Sequence, residues 1–98
     1  MNVTIQAIHF TAKESLEEFI QKKIAKLEQF SDKIISADVQ LKVVKPEISN
    51  NKEVQIKVAI PNETLVVNKQ ADTFEGAFDE AMDAMKNMII KAKEKNAK

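Results

Sequence analysis

Apolar and polar residues alternate in four short stretches of the chain, and a period of two is typical of half-buried β-strands. Breaks that begin at Pro46 and at Pro61 separate the last three stretches. We therefore expect these three to be successive antiparallel strands joined by short loops. The four strands are predicted at about residues 2–8, 39–44, 54–60 and 65–67.

Two longer segments place their apolar residues three and four positions apart, the spacing of an amphipathic helix. Thr11 with Glu14, and Asp72 with Glu75, have the spacing of a capping box at the start of each segment. The two helices are predicted at about residues 12–30 and 73–94.

The order of these elements is β-α-β-β-β-α, which predicts an α+β fold. Both helices carry one apolar stripe, so we expect them to pack on one face of a four-stranded sheet. A chain of 98 residues is long enough for one core. We therefore expect a single domain over residues 1–98.

The composition narrows the class of protein. Hydrophobic residues make up 44% of the chain and charged residues 31%, which excludes a disordered tail and a membrane protein. No apolar run approaches the roughly 18 residues of a spanning helix, and no secretion signal opens the chain. Cysteine is absent, which excludes disulfides and thiolate chemistry. We expect a cytoplasmic protein without a membrane partner.

No catalytic group of residues is recognisable. His9 is the only histidine, and we interpret it as a strand-end or loop residue. One glycine in the whole chain leaves no phosphate-binding glycine-rich loop. The sequence therefore predicts a binding protein and not an enzyme, with no cofactor, no metal site and no small-molecule substrate. The five phenylalanines are interpreted as core residues and not as a platform for stacking bases.

Lysine is the residue type that suggests a partner. The net charge is zero, but all 15 basic residues are lysines, so anion binding would use point charges and not bidentate guanidinium groups. If both helices lie on one side of the sheet, their lysines form one positive surface for a phosphate-rich partner. The alternative is that these are solvated helix faces which complement the helix dipoles. The candidates are Lys22, Lys23, Lys26 and Lys33 around the first helix, and Lys86, Lys91, Lys93, Lys95 and Lys98 in and after the second.

Three segments carry a resemblance to a known family. They are Lys26-Leu27-Glu28-Gln29-Phe30-Ser31-Asp32-Lys33-Ile34 at the end of the first helix, Asp72-Thr73-Phe74-Glu75-Gly76-Ala77-Phe78-Asp79 at the start of the second, and Val3-Thr4-Ile5 in the first strand. In this order and spacing they resemble the ribosome hibernation-promoting factors. That family includes the ribosome-associated inhibitor and was once called the sigma-factor modulation proteins.

The resemblance implies both a fold and a function. The fold is a β-α-β-β-β-α domain similar to double-stranded RNA-binding domains. The function is binding in the channel of the small ribosomal subunit between head and body, where the protein blocks messenger RNA and transfer RNA and silences translation. In the family, basic residues on both helices face ribosomal RNA. That role carries over to Lys23, Lys26, Lys33, Lys91, Lys93 and Lys95, with Lys22 and Lys86 as supporting candidates.

The chain departs from the family where relatives carry a basic residue in the middle of the second helix, since it has Ala84 and Asn87 there. Its length resembles the short members, which implies that a separate ribosome modulation factor is needed to pair ribosomes.

Two other functions stay open at this point. One is a generic double-stranded RNA-binding domain, and the other is a protein–protein adaptor that uses the open sheet face or an edge strand.

Overall fold

The computed structural model describes residues 2–8, 10–31, 33–44 and 51–95. Three features singled out in the sequence lie outside the described residues. They are His9, the interruption of the alternating pattern that begins at Pro46, and Lys98. The predictions made for them are therefore not addressed by the structure.

The described elements follow the predicted order. The four strands are β1 (Asn2–Ile8), β2 (Ser36–Val43), β3 (Lys52–Ile60) and β4 (Glu63–Ala71). The helices are α1 (Glu14–Ile24), a 3₁₀ helix (Ala25–Gln29) that continues it, and α2 (Phe74–Lys95). The α+β fold with β-α-β-β-β-α order is therefore confirmed.

The strands form one mixed sheet in the order β1-β2-β3-β4. The outer strand β1 pairs with β2 in parallel, from Asn2 opposite Ser36 to Ile8 opposite Lys42. Parallel neighbours need a long crossover, which α1 and the 3₁₀ helix supply. The pairs β2–β3 and β3–β4 are antiparallel, as predicted. A two-residue turn at Pro61 and Asn62 joins β3 to β4, and Asn62 has a φ of 69° there.

The first helix differs from the prediction of one α-helix over residues 12–30. It begins at Glu14, and after Ile24 it tightens into the 3₁₀ helix. A 3₁₀ helix has three residues per turn, so side chains three apart line up. Ile24 and Leu27 both lie in the core with at most 1% exposure. The tighter winding keeps these two apolar residues on the same face.

The capping box predicted at Thr11 and Glu14 is wrong. The residue at the N-cap position of α1 is Lys13, and no side chain caps this helix. The helix starts too late for the Thr11 hydroxyl to reach its first free N–H groups.

At the second helix the capping hydroxyl belongs to Thr73, one residue after the predicted Asp72. Its Oγ1 accepts a hydrogen bond of 3.0 Å from the backbone N–H of Gly76. A Cβ atom at position 76 would lie 3.1 Å from the same oxygen. The glycine therefore leaves room for the cap.

The core lies between the sheet and the two helices, which pack on one face as predicted. Of the five phenylalanines, Phe74 and Phe78 are buried, whereas Phe10, Phe19 and Phe30 are only partly buried against the core. The interpretation as core residues is therefore confirmed for Phe74 and Phe78, whereas the other three pack against the core with part of each side chain exposed. The largest fully buried side chains are Phe78, Ile20, Ile24, Leu27, Leu41, Ile56, Met85, Ile89, Val39, Val54 and Val58.

The opposite face of the sheet is polar. Cross-strand pairing places a row of carboxamides, Gln6, Gln40, Gln55 and Asn68, over all four strands. A shallow depression of about 240 Å³ on this face is lined in part by Thr4, Asp38 and Lys57. In the described part of the chain, no helix is long and apolar enough to cross a membrane.

Candidate nucleic-acid interface

An open groove of about 400 Å³ separates the end of the first helix from the middle of the second. Lys23 and Lys26 stand on one wall, and Lys86 of α2 stands on the other. The residues that line it are Lys23, Lys26, Gln29, Phe30, Asp79, Met82, Asp83 and Lys86.

The winding of the first helix aligns one wall of this groove. Lys23, Lys26 and Gln29 are three residues apart, and the 3₁₀ helix sets such residues nearly one above the other. The same winding that directs Ile24 and Leu27 into the core thus directs this polar row into the groove. The other wall is α2, where Asp79, Asp83 and Lys86 follow at spacings of four and three.

Lys23 is held in place by contacts from two elements. Its Nζ lies 2.7 Å from Asp79 Oδ1 and 4.9 Å from the centre of the Phe19 ring. The side chains of Lys23 and Asp79 are 36% and 50% exposed. A pair this exposed contributes at most about 1 kcal/mol to stability, so its main effect is to fix the lysine and offset its charge.

Phe30 supports two lysines of the second helix. Lys86 Nζ lies 5.2 Å from the centre of the Phe30 ring, within the range of a cation–π contact. Lys93 Nζ donates a long hydrogen bond of 3.5 Å to the carbonyl oxygen of the same residue. Phe30 therefore holds ammonium groups from α2 against the end of the first helix.

The structure brings together four of the eight lysines proposed from the sequence. Lys23, Lys26 and Lys86 line the groove, and Lys93 reaches its rim at Phe30. Of the other four, Lys22, Lys33 and Lys91 do not line it. Lys22 is exposed on α1, Lys33 is exposed in the turn after the 3₁₀ helix, Lys91 is exposed on α2, and Lys95 is the last residue of α2.

The two helices run in the same direction, and this separates the charges of the helical layer. Phe10 stacks on Phe74 at the start of both helices, with ring centres 5.1 Å apart, whereas Phe30 meets Lys86 and Lys93 near the other end. Like-charged segments therefore lie side by side. We call residues 13–18 and 72–83 the acidic end, and residues 22–33 and 86–95 the lysine end.

Besides Gln29 and Met82, which also line the groove, sequence reasoning missed four residues that shape this site. They are Asp79, which pairs with Lys23, Asp83 in the groove wall, and the aromatic supports Phe19 and Phe30. Asp79 lies four residues before Asp83, and Asp83 lies three residues before Lys86. Residues at these spacings share one face of a helix, so this face was recognisable in the sequence. Their position opposite the first helix is a tertiary feature.

A sequence profile of the family described as Sigma 54 modulation protein / S30EA ribosomal protein matches residues 3–97. The chain belongs to this family. Two relatives are similar to it along nearly its whole length. A ribosome hibernation promoting factor from Pseudomonas putida is 28% identical over 95 residues, which cover 97% of this chain and 89% of that protein. A ribosome hibernation promotion factor from Bacillus subtilis is 28% identical over 97 residues, which cover 97% of this chain and 50% of that protein.

Solved structures agree with the fold. The N-terminal domain of Protein Y from Thermus thermophilus aligns with a TM-score of 0.78 at 20% identity, over 93% of this chain and 98% of that one. A ribosomal subunit interface protein from Coxiella burnetii aligns with a TM-score of 0.81 at 20% identity, over 95% and 98%. The resemblance noted in the sequence is therefore confirmed for the family and for the α+β fold, whereas the similarity to double-stranded RNA-binding domains stays a prediction.

Proposed function

We propose that this protein is a ribosome hibernation factor that binds the small ribosomal subunit and silences translation by occupying the channel between head and body. The observation that carries the proposal is the groove that Lys26 and Lys86 line from two different helices. Membership of the family, together with the names of the two hibernation factors, supports the ribosome as that partner.

The chemistry available at the lysine end fits ribosomal RNA. Lysine ammonium groups bind phosphates as point charges, and phosphate contacts position a protein on RNA without reading its bases. Selectivity would then come from the shape of the folded RNA, since the surface offers neither arginine nor an exposed aromatic platform among the described strands. The proposed contacts are made by Lys22, Lys23, Lys26, Lys33, Lys86, Lys91, Lys93 and Lys95.

The proposed mechanism is steric. A folded domain in the channel would overlap messenger RNA and the transfer RNAs of the A and P sites, and the idle ribosome would be blocked without any chemical step. The protein would therefore act in the cytoplasm as a single domain, without catalysis or cofactor. Pairing of ribosomes would require a separate modulation factor.

The experiment is cosedimentation with purified small subunits, with and without bound messenger RNA and transfer RNA. We expect binding to empty subunits, and we expect the bound RNAs to prevent it because they occupy the same channel. A regular RNA duplex and a salt series complete the test. Equal affinity for duplex and subunit would favour the generic RNA-binding domain, and affinity that hardly changes with salt would favour a protein–protein adaptor.

A further inference from the structure

Two carboxylates stand among the lysines of the groove. Asp79 and Asp83 line it together with Lys23, Lys26 and Lys86. Asp79 Oδ1 already lies 2.7 Å from Lys23 Nζ, so the charge of one of these three lysines is offset within the protein. A phosphate that enters the groove therefore meets two negative groups beside the lysines.

Helix stabilisation does not explain both carboxylates. Acidic residues stabilise a helix when they lie in its first turn, where the backbone N–H groups are free, and the effect falls off beyond that turn. The helix α2 begins at Phe74, and Glu75 is the acidic residue of its first turn. Asp79 and Asp83 lie in the second and third turns, beyond that range, and the ion pair with Lys23 accounts for Asp79 alone.

The acidic end extends this negative charge along the molecule. The acidic end contains eight carboxylates and one lysine, Lys13. It lies next to the groove, on the side away from the lysine end. The carboxylates are those of Glu14, Glu17, Glu18, Asp72, Glu75, Asp79, Glu80 and Asp83. The structure is 49 Å long, and a double-stranded RNA-binding domain contacts about 16 base pairs of duplex. A regular duplex laid along the helical layer would place its phosphates against these carboxylates.

We propose that Asp79 and Asp83 are selectivity residues, which repel a regular RNA duplex that lies along the whole helical layer and tolerate RNA whose phosphates contact mainly the lysine end. This inference rests on the proposed function and adds to it the expectation that the protein binds a plain duplex less tightly than the small subunit. A folded ribosomal RNA surface turns away within a short distance, so it can contact the lysine end without passing the acidic one. A straight duplex cannot.

The test compares two variants that change the net charge by the same amount. Asp79→Asn with Asp83→Asn removes two negative charges from the groove. Asp38→Asn with Glu53→Gln removes two from the open face of the sheet, where Asp38 lies opposite Lys57 and Glu53 opposite Lys42. Dissociation constants are measured for purified small subunits and for a regular RNA duplex, at the same low and moderate salt concentrations. Thermal unfolding of each variant verifies that it is folded.

We expect the groove variant to bind the duplex about five- to tenfold more tightly at low salt, because two repulsions of phosphate at short range are removed. The ratio of subunit affinity to duplex affinity should fall by about fivefold in this variant and stay unchanged in the sheet-face variant. A ratio that is unchanged in the groove variant, or that falls equally in both, overturns the inference.

The affinity of the parent protein for small subunits, measured in the same series, separates this inference from the proposed function. Without parent binding, the proposed function and the inference both fail. With normal parent binding and an unchanged ratio in the groove variant, only the selectivity role of Asp79 and Asp83 fails.

Discussion

Lys26 and Lys86 are the residues on which the phosphate-binding proposal can be tested most directly. They stand on opposite walls of the groove, and both side chains are exposed. Lys23 is less suitable, because its substitution would also remove the ion pair with Asp79 and so free a carboxylate in the groove. Substitution of a lysine without an ion pair therefore reports more directly on the loss of its own charge.

Lys26→Ala with Lys86→Ala should weaken binding to small subunits and flatten the dependence of log affinity on log salt. The slope should decrease by roughly 0.7 to 0.9 for each lost phosphate contact, because fewer counterions are released. Binding at several salt concentrations measures this slope. The free energy of unfolding should fall by at most about 1 kcal/mol, because Lys26 is exposed and Lys86 loses only an exposed cation–π contact with Phe30.

The matched control is Lys42→Ala with Lys57→Ala, which removes the same charge from exposed positions on the open face of the sheet. Binding by this variant should resemble that of the parent. If both variants lose affinity and slope equally, net charge and not the groove governs binding.

At the scale of the elements, the two helices begin differently although the sequence suggested a capping box for each. The hydroxyl of Thr73 caps α2, whereas α1 starts at Glu14 without a side-chain cap. The helix with the cap is also the longer one, with 22 residues against 11. The same helix carries both the acidic wall of the groove and the lysines further along.

Thr73→Ala should lower the free energy of unfolding by about 1 kcal/mol, because the N–H of Gly76 loses its acceptor. Thr11→Ala is the control, since Thr11 is an exposed threonine just before α1, and no side chain caps that helix. Urea denaturation of the two variants measures the difference. Equal destabilisation would contradict the assignment of the cap.

At the scale of the whole molecule, a net charge of zero conceals a strong separation of charge. The parallel course of the helices sets the lysine end apart from the acidic end. A domain of this kind can be oriented by its own field as it approaches RNA. The proposal that the lysine end is the surface that contacts RNA leads to two predictions.

The first is that the protein inhibits translation in proportion to the fraction of ribosomes it occupies. The physical reason is occlusion, because a bound domain and the translation substrates cannot share the channel. Protein synthesis in a cell-free reaction is measured while bound protein is quantified by sedimentation. Normal synthesis at saturating occupancy would rule out the occlusion mechanism.

The second is that the 98-residue chain alone leaves ribosomes unpaired. A bridge between two ribosomes needs two binding surfaces, and the described residues place the groove lysines at one end of the helical layer. Sucrose gradients of pure ribosomes with this protein should show single particles, and dimers should appear only when a modulation factor is added. A dimer peak with the protein alone would reveal a self-association surface.

The sequence by itself determined the elements and their order, because the period of two and the spacing of three and four report directly which residues face a core. It also identified the family and the lysines that are candidates for RNA contact. It did not determine the end of the first helix, because Lys23, Lys26 and Gln29 at spacing three fit an α-helix and a 3₁₀ helix alike.

Only the tertiary structure decided which charges meet. The pairing of Lys23 with Asp79, 56 residues apart, depends on the parallel pairing of β1 with β2 and on both helices lying on one face of the sheet. Local periodicity carries no information about the distance between two helices. The groove and its mixture of lysines and aspartates are therefore set by the fold, although every residue in them was visible in the sequence.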